Sequence, residues 1–161
     1  MRGFSDGVEQ SDDLTVVAFT WLPAMEARRF PADIAQCTAV QEFVRAVAQS
    51  EDAATKYALD VIVEELFANI AQHGYGEETA GATVGLAAGV DAERGVIHMV
   101  FQDESVAFNP LARVASPIEG GDGTDLQIGG MGLLMVQTYA EALQYARIDA
   151  CNVLHVAKRL G

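Results

Sequence analysis

Glu65, Asn69 and His73 recur at four-residue intervals within Val63–Tyr75. Placed on a helix at about 100° per residue, Leu59, Ile62, Val63, Leu66 and Ile70 form one apolar arc, and the three polar residues run along its edge. A carboxylate, a carboxamide and an imidazole therefore border a buried face, while Glu64 points nearly the opposite way, into solvent. An amide beside an apolar stripe is costly unless its hydrogen bonds are met, so Asn69 one turn from Glu65 asks for a reason. The plainer reading is that Asn69 and His73 cap a helix end near Gly74 and Gly76 and that Glu65 is surface. What weighs against it lies further along the chain.

With 161 residues, half of them hydrophobic, the chain is long enough for one domain with a substantial core. The expected organisation is a flexible N-terminus over 1–13 and a domain over 14–161. Ten Lys+Arg against 23 Asp+Glu give a formal charge of −13, which opposes binding to a phosphate backbone and excludes nucleic acid as the expected partner. Cys37 and Cys151 lack CxxC spacing and sit among apolar residues, as buried free thiols do in a reducing, cytoplasmic setting. Residues 1–13 lack the basic region and apolar core of a signal peptide, and no apolar run approaches the ~20 residues needed to span a bilayer. A soluble intracellular protein is the expectation.

The elements that must hold the polar set follow in order. Leu14 to Trp21 and Met25 to Phe30 read as strands around Pro23. Pro31-Ala32-Asp33 opens an amphipathic helix to about Gln49, carried by Ile34, Cys37, Val40, Val44 and Val47. Ser50-Glu51-Asp52 supplies the cap and acidic first turn of the helix from Ala53 to about Gln72. Ala82 to Val90 and Val96 to Gln102 pair most simply as an antiparallel hairpin around a polar turn, and the second strand runs into Asp103. Asp103 fits a ligand-reading residue at a strand end or a plain turn. Residues 111–128 are glycine-rich and aperiodic, as expected of a lid. Gly129-Gly130-Met131-Gly132 then enters a helix to about Ala140, and backbone N–H groups at such a start form a natural phosphate cradle. Leu143 to Ile148 and Asn152 to Lys158 close the chain as strands.

Three pieces thus stand in order: Glu65-x3-Asn69-x3-His73 on a helix, Asp103-x4-Phe108-Asn109-Pro110 after a strand, and Gly129-Gly130-Met131-Gly132 entering a helix behind a lid-like loop. The set resembles the ATPase superfamily of gyrase and histidine-kinase catalytic domains. Within it, the chain is most similar to the small bacterial anti-sigma-factor serine kinases, from about Leu14 to Leu160. No phosphoacceptor-histidine hairpin fits in the remaining residues, so a complete sensor kinase is not expected.

The resemblance implies a two-layer α/β sandwich with a mixed, mainly antiparallel sheet, helices on one face, and dimerisation through the first strands. It implies ATP and Mg²⁺ as ligands, with Asn69 holding the metal and His73 beside it in the nucleotide site. Glu65 would be the general base and Asp103 the acceptor of the adenine amino group. Gly129, Gly130, Met131 and Gly132 would meet the phosphates. An anti-anti-sigma protein and a sigma factor are the implied partners. Two positions at which the family commonly has glycine carry Ser105 and Ala107, and Leu126-Gln127-Ile128 lacks the arginine frequent before the glycine loop, Arg113 being the nearest substitute. These departures favour, as the alternative, a partner-binding switch of the same fold with weak or no catalysis.

Overall fold

The computed structural model describes residues 22–75, 81–113 and 131–161. The strand expected over Leu14 to Trp21, the flexible 1–13 segment, the lid beyond residue 113, and Gly129 and Gly130 lie outside the described residues. Eight main elements follow one another: β1 (Glu26–Pro31), α1 (Cys37–Ala48), α2 (Ala53–Asn69), β2 (Thr83–Asp91), β3 (Val96–Asp103), α3 (Met131–Tyr139), β4 (Ala142–Ile148) and β5 (Cys151–Arg159).

Helix ends fall where local chemistry places them. Asp33 accepts from the Ala35 amide at 2.9 Å, opening a short 3₁₀ turn before α1. Gln49 ends α1 in the left-handed region at φ 49°. Asp52 caps α2 through the Thr55 amide at 2.7 Å, as its position after Ser50 and Glu51 anticipates. In the β2–β3 turn, Asp91 accepts from the amides of Glu93 and Arg94, and Gly95 takes φ 61°, a conformation that suits a residue without Cβ.

The strands form a single sheet in the order β1-β2-β3-β5-β4, and all four pairings among the described residues are antiparallel. The α/β sheet with helices on one face is as expected, and where a mixed, mainly antiparallel sheet was expected the described strands pair only antiparallel. Strand alternation divides it into two faces. Val84, Leu86, Ile97, Met99, Phe101, Leu154 and Val156 turn toward the helices and join Val40, Val44, Leu59, Ile62, Val63, Leu66, Phe67 and Val136 in one core. Phe67 and Phe101 are almost wholly buried there; truncating either to Ala would cost about 3–5 kcal/mol. Arg45 pairs with Asp60 between α1 and α2, and Tyr57 meets Tyr139 edge-on at 6.1 Å between α2 and α3. No helix among the described residues is long and apolar enough to cross a membrane.

Register decides what stands beside Asp103. At the last inward-facing step of β3, Asp103 pairs with Asn152 of β5, and Asn152 in turn pairs with Arg147 of β4. Three polar residues from three strands therefore share the end of the core-facing surface, below the C-terminal turn of α2.

Candidate nucleotide-binding site

Asn69 is the last residue of α2, and beyond it the backbone widens into a π turn over Ile70–Gly74. The regular helix expected to about Gln72 therefore stops three residues earlier. A π turn fits five residues where an α-helix fits about four, so His73 does not continue the Glu65–Asn69 row in strict helical register. It is exposed, yet still lines the same pocket as Asn69. Asn69 makes no side-chain cap hydrogen bond, so the capping role open to it from sequence is not the one it plays.

The π turn brings Gly74 against the loop after β3. A Cβ at Gly74 would lie 2.8 Å from Ser105 Oγ, so the approach requires glycine. The Gly74 carbonyl accepts from the Val106 amide at 3.4 Å. Tyr75 ties both segments to the sheet: its hydroxyl donates to the Thr83 carbonyl at 3.2 Å and accepts from the Glu104 amide at 3.1 Å. Burial pushes the Tyr75 phenol up, so it stays protonated.

Asp103, 5% exposed, ends β3 at the floor of the pocket. Its Oδ1 accepts from the Ser105 amide at 3.0 Å and from Asn152 Nδ2 at 2.9 Å, while Oδ2 takes no hydrogen bond among the described residues. Asn152, also 5% exposed, was not singled out from the sequence. A signal did exist: an amide at an inward position of the apolar strand Cys151–Arg159 must be paired. Which residue it would meet depended on strand order.

These groups line a cleft with about 450 Å³ of empty space, part of it open to solvent. Asn69, His73 and Gly74 stand on one side, Asp103, Ser105 and Asn152 on the other, and Leu66, Ile70, Phe108 and Leu154 supply apolar walls. Ser105 lines the cleft; Ala107 is exposed and does not. The Ser105 hydroxyl donates to the Val106 carbonyl at 3.3 Å and accepts from Asn152 Nδ2 at 3.1 Å.

Glu65 stands one turn before Asn69 and meets the start of α3. A Cβ at Gly132 would overlap Glu65 Oε2 and lie 2.5 Å from its Cδ, so α3 reaches the carboxylate only because residue 132 is glycine. Burial raises the Glu65 carboxyl above its ordinary value, and the neighbouring Glu64 charge adds to the shift. Asn69, His73, Asp103 and Ser105 thus line one cleft, while Glu65 and Gly132 meet each other one helical turn before Asn69 and, like Ala107, are not among its lining residues. Met131 is placed as the first residue of α3. Among the described residues no group of three or more His, Cys, Asp or Glu side chains is arranged to hold a metal.

Comparisons with known proteins bear on the fold and the family. Residues 30–158 match the model of the histidine kinase-like ATPase domain. The structure of the RsbU and RsbW domains of Rv1364c from Mycobacterium tuberculosis is similar at a TM-score of 0.55 and 15% identity, over 84% of this chain and 32% of that one. The histidine kinase domain of the blue-light activated histidine kinase from Erythrobacter litoralis is similar at a TM-score of 0.50 and 15% identity, over 81% of this chain and 62% of that one. The chain thus spans less than two thirds of either structure, and at this identity the likeness speaks for the fold. No curated protein sequence matches. With the family model covering most of the chain, over the elements that build the cleft, the chain belongs to the histidine kinase-like ATPase domain family.

Proposed function

We propose that the chain binds ATP with Mg²⁺ and transfers the γ-phosphoryl group to a serine of a small anti-anti-sigma-type protein, whose phosphorylation state governs the holding of a sigma factor. The observation that carries this reading is the convergence of Asp103 and Asn69 on one cleft, with Glu65 a single turn before Asn69 on the same rigid helix. Asp103 offers a carboxylate oxygen to an exocyclic amino group of the base. The apolar walls receive the ring, and the free backbone N–H groups at the start of α3 suit the phosphates. The partner class rests on the resemblance of the motif set, supported by the fold likeness to a structure that includes an RsbW domain.

Asn69 fits a magnesium ligand: its neutral carboxamide carries a hard oxygen, the residue lines the cleft, and its side chain has no hydrogen-bond partner among the described residues. When bound, the ion supplies neutralisation of phosphate charge. Glu65 accepts the proton of the attacking hydroxyl, and a carboxyl raised by burial is a stronger base than an exposed one. Packing of α3 on Glu65 holds that carboxylate in place.

Calorimetric titration of ATP with and without Mg²⁺ tests the reading. Magnesium-dependent binding is expected, and a native chain that binds no ATP under either condition sinks it. Ser105 and Ala107 at positions where glycine is common favour the second reading, a nucleotide-binding switch without efficient transfer. Single-turnover transfer to a serine partner separates the two.

A further inference from the structure

We propose that Asn152 is the residue that positions Asp103 for base recognition, and that it does so in place of glycine in the 103–108 loop. This rests on the nucleotide reading above. The carboxamide lies within hydrogen-bond distance of six groups. The two Nδ2 hydrogens are shared among Asp103 Oδ1 at 2.9 Å, Ser105 Oγ at 3.1 Å and the Val106 carbonyl at 3.1 Å. Oδ1 accepts from Arg147 Nη1 at 2.7 Å, from the Tyr145 hydroxyl at 2.8 Å and from the Phe108 amide at 3.3 Å.

Three of these partners cannot exchange roles. The Arg147 guanidinium and the Phe108 amide only donate, and the Val106 carbonyl only accepts. A flipped carboxamide would face donor with donor and acceptor with acceptor, so a single orientation satisfies the surroundings. The donor end is thereby fixed on Asp103. With Oδ1 held by Asn152 and by the Ser105 amide, the plane of the carboxylate is set and Oδ2 is the oxygen left to a ligand. An oxygen that only accepts, on the floor of an apolar cleft, selects a base bearing an amino group and penalises one that presents a carbonyl there.

The same amide shapes the loop. Among the described residues positive φ occurs only at Gln49, Asp149, Gly81 and Gly95, so nothing from Glu104 to Asn109 adopts a conformation that needs glycine. Cross-strand hydrogen bonds do the holding instead. Asn152 reaches Ser105, Val106 and Phe108, and Arg147 Nη1 adds a bond to the Ser105 carbonyl at 2.9 Å.

The test uses the full chain and measures ATP affinity in Mg²⁺ at pH 8 and pH 5.5 for the native protein and Asn152→Asp. The substitution keeps the shape and keeps an oxygen on Arg147 and Tyr145, but turns a second carboxylate oxygen toward Asp103. At pH 8 affinity is expected to fall about tenfold or more relative to native. At pH 5.5 the ratio should recover by at least about half of that factor, because the introduced carboxyl takes up a proton and donates it to Asp103. A loss of packing alone would not reverse with acid. A ratio within about threefold of native at both pH values overturns the inference and leaves the nucleotide reading intact. A native chain that binds no ATP overturns both. If Asn152→Asp does not fold, Asn152→Ser is read by its ATP-to-GTP affinity ratio: a drop of about tenfold is expected, and an unchanged ratio overturns the inference.

Discussion

The two sides of the cleft are built in opposite ways. On the sheet side, Asp103, Ser105 and Asn152 are each at most 6% exposed and are joined to one another, to Arg147 and Tyr145, and to the backbone of the following loop. On the helix side, Asn69 and His73 line the cleft and Glu65 stands one turn before Asn69, all three with no side-chain hydrogen bond among the described residues. Buried polar groups in a sheet must be paired or they destabilise the fold, so the sheet side is held by its own hydrogen bonds and leaves Asp103 Oδ2 as its one carboxylate oxygen without a partner among the described residues. Half-exposed groups on a helix can be left to solvent. Their chemistry stays available for a ligand that arrives, and their mutation should show in activity more than in stability.

The largest effect expected from that contrast is on turnover. Glu65→Gln should reduce phosphoryl transfer by roughly 10²–10⁴-fold while leaving ATP affinity within about threefold, as read by radiolabelled transfer beside calorimetry. The same variant should raise the melting temperature at pH 7.5. A carboxyl whose folded-state value is raised contributes stability below its unfolded value and loses it as pH rises through the folded one, so the ionised form is the unfavoured one at neutral pH. Equal melting temperatures for the two proteins at pH 7.5 would count against the burial of Glu65. If the native chain transfers phosphoryl as proposed, the acid limb of its kcat/KM should lie above the ordinary carboxylate value, which a pH profile of transfer checks.

Asn69→Ala comes next. Affinity for ATP should fall about tenfold or more in Mg²⁺ and stay nearly unchanged in EDTA, with little change in melting temperature. A large loss of stability would place Asn69 among the structural residues and erase the contrast between the two sides. Gly132→Ala sharpens the contact between α3 and Glu65. Alanine favours helix by about 1 kcal/mol, but its Cβ must displace the Glu65 carboxylate. A net loss of about 1–3 kcal/mol in urea unfolding is expected, and a net gain would show that α3 can move away at little cost. The smallest effect is expected from Tyr145→Phe, which removes one of three donors to Asn152 Oδ1; about 0.5–1.5 kcal/mol should be lost, with ATP affinity scarcely altered.

Much of this was legible in the chain. Asp33 and Asp52 marked the helix starts through the capping their side chains provide, and the Val84–Leu86–Ala88 and Ile97–Met99–Phe101 alternations gave the hairpin and its buried face. Glu65 and Asn69 were visible as polar residues bordering an apolar arc, and Asp103 as a carboxylate at the end of a strand. Less legible were His73, whose place depends on a π turn that no local spacing announces, and Asn152, whose partners lie up to 49 residues away.

Local order was set by the sequence alone: periodicity and capping act between residues a few positions apart, and they named the elements, the inward face of each and the polar residues at its margins. Only the tertiary structure decided which margins meet. Strand order put β5 between β3 and β4, and register set Asn152 between Asp103 and Arg147. Close approach at Gly74 and Gly132 then brought the β3 loop to α2 and α3 to Glu65. Pairing across a sheet and packing without a Cβ are relations between distant segments, fixed when the whole core closes.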